Sequence, residues 1–313
     1  MSSDSADERL AGVHAMASLA DDWADGRQMC IDALCAYLRM PYTPPAKPHI
    51  VSDDDAEEPE VADEAERARL AERRVRHTIV RVITEHLRDD ATVSWQGHDF
   101  DFSGALFDGA DFSKAVFSGG RVNFSGAVFT RGRNSFSGAE ISGGQVAFSG
   151  AVFSDGSVDF TYATFSGGQL VFSGAIFSDV YVDFTYVTFS GGDVDFHRAI
   201  FSRSRLDLSL TEFSGSDVDF ASSVLSGSNL DFQWSIFSGG RVCFSDVVFS
   251  AGRLMLSKAK FTGGDLDFSK ATLSGIEIDL FADASSDAAR DSDPWPDGPP
   301  EGLRLPPRWR RGG

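Results

Sequence analysis

Cysteine is scarce: three copies in 313 residues, at positions 30, 35 and 243. They form no C-x-x-C pair and no ladder, which excludes a disulfide framework, and the odd number fits a reducing compartment. Long apolar runs are missing too. None approaches the roughly 18–20 residues that span a bilayer, and the opening MSSDSADERLAG is polar and acidic, unlike a secretory leader. The expectation is a soluble, cytoplasmic chain with membrane association disfavoured. Positive charge is short as well: 28 Lys and Arg stand against 47 Asp and Glu, a net of -19. Direct nucleic-acid binding needs cationic patches, so it is not expected. P-loop, G-x-S-x-G and dinucleotide fingerprints do not occur, and the six His are scattered without metal-ligand spacing. GGDVDF and GGDLDF echo calcium-binding nonapeptides, but the third Gly is missing and the period is wrong. No enzyme, metal or cofactor is expected.

Phenylalanine and glycine are abundant instead, at 27 and 31 copies. Phe102, Phe107, Phe112 and Phe117 stand five apart. Beyond them the steps alternate seven and five, through Phe124, Phe129, Phe136, Ile141, Phe148 and Phe153 to Phe268, Leu273 and Leu280. Two residues before the ring, in most repeats, stands a small or branched apolar residue: Ala127, Ala151, Ala163 and Ala175 in one series, Val122, Val146, Val158, Leu170, Val182 and Val194 in the other. Apolar-x-Phe is a period-2 signal on a very short strand, and the Ser-Gly that usually follows is turn chemistry. Short strands joined by regular turns predict a solenoid.

The pattern repeats every 12 residues, but the winding is predicted to close only after 24. Two linking residues turn a corner; they cannot bring the chain back across a core about 10 Å thick. Residues 154–177 agree with residues 178–201 at 16 of 24 positions, whereas 154–165 and 166–177 agree at only 5 of 12. Residues 99–281 then make seven to eight windings, a rod roughly 35 Å long at about 4.8 Å per winding. Its inside is stacked Phe with Val and Ala.

Residues 1–92 carry no repeat and read as a small α-helical module. RLAGVHAMASLADDW places Leu10, Val13, Met16 and Leu19 on a helical stripe, and GRQMCIDALCAYLRM adds Met29, Ile31, Leu34, Tyr37 and Leu38. PYTPPAKP ends that helix. An acidic linker lies near 49–66. RVRHTIVRVITEHL forms a further amphipathic helix with Val75, Ile79, Val82 and Ile83 inward. Residues 282–313, rich in Pro, Gly and charge, are expected to be an irregular or disordered tail. The helices with Trp95 are placed to cap one end of the rod, and Leu303, Leu305 and Trp309 the other.

The stretch DFSGALFDGADFSKAVF, residues 101–117, resembles the pentapeptide-repeat family. That resemblance implies a right-handed four-sided β-helix, mainly β, with Leu or Phe central on each side and Ala two residues before it. The seven-residue steps depart from the family's strict five and imply enlarged corners. RLAGVHAMASLADD…CAYLRMPYTPP is similar to the helical part of actinobacterial members.

Equivalent positions 24 apart form columns on the outside. Tyr162, Tyr186, Leu210 and Trp234 make one, opposite Gly126, Gly150, Gly174, Arg198 and Ser222. Such an aromatic ladder is a candidate surface for a protein partner or a homodimer; it equally fits side chains that only brace neighbouring strands. Asp159, Asp183, Asp207 and Asp231 make a second column, read as a solvated acidic ladder on the same face. The expected role is a non-catalytic interaction scaffold. The resemblance also implies two alternatives: a DNA mimic that binds a topoisomerase such as gyrase, and a membrane-associated regulator. Residues 99–281 hold 21 acids and 12 bases, under half the charge of duplex DNA over the same length, which is about one per 1.7 Å.

Overall fold

A computed structural model describes residues 5–46, 63–279 and 303–304. Three helices come first: α1 (Ala6–Asp22), α2 (Arg27–Leu38) and α3 (Glu64–Leu87). Short strands follow from Phe100 onward. The expected acidic linker lies mostly outside the described residues, but its last part is helical, because α3 starts at Glu64. Asp63 caps that helix by accepting a hydrogen bond from the Glu66 amide at 2.6 Å, with Glu64 and Glu66 in the first turn where the helix dipole favours negative charge.

The strands stack in parallel into four columns, and the chain visits all four in each winding. Register is offset by 24 residues: Val158 pairs with Val182, Leu170 with Val194, and Phe177 with Phe201. The result is a four-sided β-solenoid of about eight turns. Among the described windings only the first is shorter. Phe100 pairs with Val122 and Leu106 with Val128, an offset of 22, because the step from Phe107 to Phe112 lacks the two extra corner residues.

Two kinds of corner explain the alternation of five and seven. The tight corner is a four-residue turn. Ala151 N donates to Phe148 O at 3.0 Å, and the third residue, Gly150, sits at φ 63. The wide corner carries two more residues. At Gly144 (φ 70) a Cβ would lie 2.3 Å from Gly120 O of the winding below, so glycine is required there by contact as well as by dihedral.

The rings fill the interior as predicted. Phe124, Phe148, Phe172, Phe196, Phe220, Phe244 and Phe268 form one stack with centroids 4.5–4.8 Å apart and planes within 10°. Neighbouring stacks meet edge-on: Phe136 and Phe148 lie 5.6 Å apart at 86°. Face-offset stacking within a column and T-shaped contacts between columns are both favoured by the ring quadrupole. Leu208, Leu225 and Leu256 take ring positions and stay buried.

The helices close the first winding, whose strand would otherwise expose unpaired backbone. The Gln28 side chain donates to Asp99 O at 2.7 Å and accepts from Asp99 N at 3.1 Å, standing in for a missing strand. Arg39 donates to Asp101 O, Arg73 to Asp108 O and Thr84 to Asp111 O, at 3.2, 3.1 and 2.9 Å. Trp95 is fully buried, and the helix core runs into the Phe core as one cluster.

Two helical expectations are corrected. Leu19 and Met29 are 47% and 66% exposed. On α1 the buried residues are Val13, Ala17 and Ala20, because small side chains let the helices approach closely. On α2, Cys30 and Cys35 turn inward instead of Met29. The C-terminal expectation is mostly outside the described residues. Leu303–Arg304, however, is a strand, paired with Leu266 and Asp267, so this part of the tail adds to the solenoid.

Candidate functional site

The aromatic ladder sits on a tight corner. In each turn the third residue takes the left-handed region: Tyr162, Tyr186, Leu210 and Trp234 have φ of 60°, 60°, 58° and 64°. The equivalent residue one winding earlier is Gly138 at φ 65. Ala163 N donates to Phe160 O at 3.0 Å and Ser235 N to Phe232 O at 3.1 Å, the closing bond of a turn that ordinarily wants Gly at this place. A bulky residue there strains the backbone. It also points the side chain off the corner into solvent: the four are 64%, 49%, 41% and 52% exposed. Tyr162 and Tyr186 stack at 5.0 Å with planes 4° apart. Lys258 (φ 62), one winding further, was not anticipated; its Nζ lies 4.0 Å from the centre of the Trp234 ring, a cation–π contact. The ladder is therefore five residues high with a cation at its end.

The acidic column is not on the surface. Asp159, Asp207 and Asp231 are buried, and Asp183 is half-buried. The solvated-ladder expectation is corrected for Asp159, Asp207 and Asp231, whereas Asp183 keeps part of its exposure. Each carboxylate accepts the amide two residues on: Thr161, Thr185, Ser209 and Gln233, at 2.9, 2.9, 3.1 and 3.0 Å. This is the local Asx pattern that shapes a turn. Arginines and one tyrosine offset the charge. Arg133 pairs with Asp159, Arg205 with Asp207 at 2.8 Å and Asp231 at 3.4 Å, and Tyr181 donates to Asp207 at 3.1 Å. Asp231 is the least settled. Burial raises its pKa, the Gln233 amide opposes that, and the neighbouring Asp207 charge raises it further.

A second apolar column was also missed. Ile176, Ile200, Val224 and Val248 are 37–43% exposed and paired in register. Their outward neighbours on the same strands are Ser178, Ser202, Ser226 and Ser250, so this side carries no charge from Val128 through Ser274. The 24-residue spacing of the β-branched residues was visible in the sequence.

Against the helices, Asp108 gathers three donors. His77 Nε2 lies 3.0 Å from one oxygen, and Arg73 Nε and Tyr42 Oη lie 2.9 and 3.1 Å from the other. Burial works to raise this carboxyl, but the His77 hydrogen bond, the nearby cations and Tyr42 outweigh it and hold the pKa below the ordinary value. Among the described residues no group of three His, Cys, Asp or Glu could hold a metal ion. No helix among them is long and apolar enough to cross a membrane.

Comparison with known proteins bears on the repeat. Residues 99–131 match the family model for pentapeptide repeats, in 8 copies. None of the curated proteins compared matches this chain. A solved structure of a trypsin-treated variant of QnrB1, a plasmid-mediated fluoroquinolone resistance protein, aligns over 58% of this chain and 87% of that one, at 14% identity and a TM-score of 0.13. A score that low supports no argument about role.

Proposed function

We propose that this chain, with pentapeptide repeats at residues 99–131, is a non-catalytic interaction scaffold. It binds a protein partner, or a second copy of itself, through the ladder of Tyr162, Tyr186, Leu210 and Trp234. One observation carries the reading: four successive bulky apolar side chains occupy left-handed corner positions and are 41–64% exposed. Gly138 shows that the corner closes without them. Neither core packing nor turn geometry accounts for their presence, whereas an exposed, rigid aromatic strip is what a binding hot spot uses.

The duplex-mimic alternative loses support from the same geometry. A mimic needs its carboxylates in solvent, yet Asp159, Asp207, Asp231 and Asp267 are buried, and each has an arginine partner.

The test is the double variant Tyr186→Ser/Trp234→Ser, followed by sedimentation velocity over a concentration series and by co-purification from the native host. The reading expects an unchanged circular dichroism spectrum with a lost partner or a shift to a smaller species. If both the sedimentation profile and the set of bound proteins match the parent, the ladder is not an interface.

A further inference from the structure

Helix α3 shows solvent a face that differs in charge from the rest of this acidic molecule. Arg74 and Arg81, seven residues apart, lie on one side of the helix about 10.5 Å from each other, and Arg88 follows as the residue that caps its C-terminal end. With the first winding they line a groove of 430 Å³, together with Leu70, Val80, Gly109, Ala110 and one acid, Asp111. That volume falls within the range of small-molecule sites, about 300–1,000 Å³. Arg73 and His77 also border it, but both are engaged with Asp108.

The three outer arginines are loosely held. Arg74 meets Asp7 at 3.3 Å with both side chains mostly exposed, and Arg81 meets Glu85 at 2.9 Å one helical turn away. Pairs of this kind in water contribute little and exchange readily. Arg88 makes no ion pair among the described residues, and its Nε is buried without a hydrogen-bond partner among them. A buried unpaired donor is costly. Rotation about the terminal torsions would present that Nε and one Nη to an oxyanion as a two-toothed fork.

We propose that this groove binds a small polyphosphate: a ligand with two or more linked phosphoryl groups, alone or on a nucleoside. Linked phosphoryl groups suit arginines two helical turns apart, each of which reaches several ångströms toward its neighbour. Electrostatics sets the size limit. The cationic strip is short, and the chain around it carries a net charge of -19. A ligand confined within about one Debye length, roughly 8–10 Å, meets the three arginines against the one lining acid, Asp111, and the exchangeable partners Asp7 and Glu85; a long nucleic acid also meets the repelling remainder.

The experiment is isothermal titration of the full chain with tripolyphosphate, ATP and an octaglutamate peptide, at low and at raised salt. Tripolyphosphate or ATP is expected to bind with Kd of about 10–100 μM at low salt, weakening as salt rises. Arg81→Gln/Arg88→Gln should weaken binding at least about tenfold, with an unchanged thermal melt. Arg203→Gln, a control on the solenoid, should bind like the parent. ATP binding at least as tight as tripolyphosphate points to a nucleotide, and weaker ATP binding to an inorganic chain; either supports the site. Silence at millimolar ligand, equal affinity in the double variant, or tighter binding of octaglutamate overturns it.

Discussion

Tyr186 offers the sharpest test of whether the ladder strains its own backbone. The residue sits at φ 60, is about half exposed, and stacks on Tyr162 at 5.0 Å. Consider Tyr186→Ala and Tyr186→Gly side by side. Both remove the ring, so both lose the aromatic stack, about 0.5–1.5 kcal/mol. Only glycine relieves the left-handed strain, about 1–2 kcal/mol per residue. Glycine also adds freedom to the unfolded chain, which takes back about 0.4–1 kcal/mol. The ring cancels from the comparison, leaving the glycine variant more stable than the alanine variant by about 0.5–1 kcal/mol. Against the parent, glycine should lie within about 1 kcal/mol, because stack and strain nearly cancel. Urea unfolding followed by tyrosine fluorescence and circular dichroism measures both differences. An alanine variant as stable as the glycine variant would refute the strain argument. The ladder would then impose no backbone cost and would need no function to explain it.

Three further outcomes follow from the solenoid interior and its corners. Phe172→Ala, in the middle of the longest ring stack, should lose about 3–5 kcal/mol, and Phe172→Leu under about 1.5, since Leu208 and Leu225 already serve at ring positions; denaturant titration decides. Gly144→Ala should destabilise far more than Gly150→Ala in the same assay: both glycines have positive φ, but only at Gly144 would the new methyl meet a carbonyl oxygen, at 2.3 Å, while nothing lies within 4 Å at Gly150. The third concerns pH. Asp231 has its folded pKa raised, so the folded state holds that proton more tightly than the unfolded chain does. Its contribution to stability therefore grows as pH falls through that raised value, opposite in sign to Asp108, whose lowered pKa gives stability that is lost on acidification. Melting curves from neutral to mildly acidic pH should show the parent gaining on Asp231→Asn, and no such gain would contradict the assignment.

The ring spacing made the winding legible, because a ring that must face inward every five or seven residues leaves few closed paths. Corner chemistry was legible in part. Gly-Gly pairs read correctly as turns, but the contact that requires Gly144, a carbonyl 24 residues earlier, has no local signature. The acidic column shows where strand alternation misleads. Asp159 stands one residue from Phe160, so a strict period of two sends it outward. The strand ends at that point, however, and the corner folds the carboxylate onto the Thr161 amide. Asp followed two residues later by Thr, Ser or Gln at these four corners was the available signal, and it denotes a turn brace. Helix α1 went astray for a different reason: periodicity weights large apolar residues, while the packing used Ala17 and Ala20 and left Leu19 in solvent.

With Asp159, Asp207, Asp231 and Asp267 withdrawn into the corners and paired with arginines, that column adds little to the anionic surface, although Asp155, Asp193, Asp217 and Asp246 stay exposed. The outside also carries three features segregated by place: an aromatic strip ending in a cation, a side of Val and Ile beside Ser, and arginines on α3 above the first winding. Residues in one column come from segments 24 apart in the chain and meet only across windings, as Tyr162 meets Tyr186 and Lys258 meets Trp234. The backbone tolerates glycine, lysine, arginine or serine at tight corners, as Gly138, Lys114, Arg198 and Ser222 show. The corner backbone therefore does not require the four large apolar residues found in succession at one such position. A surface that recognises a partner gives them a use, and the comparison of alanine with glycine at Tyr186 measures what the fold gives up to keep it.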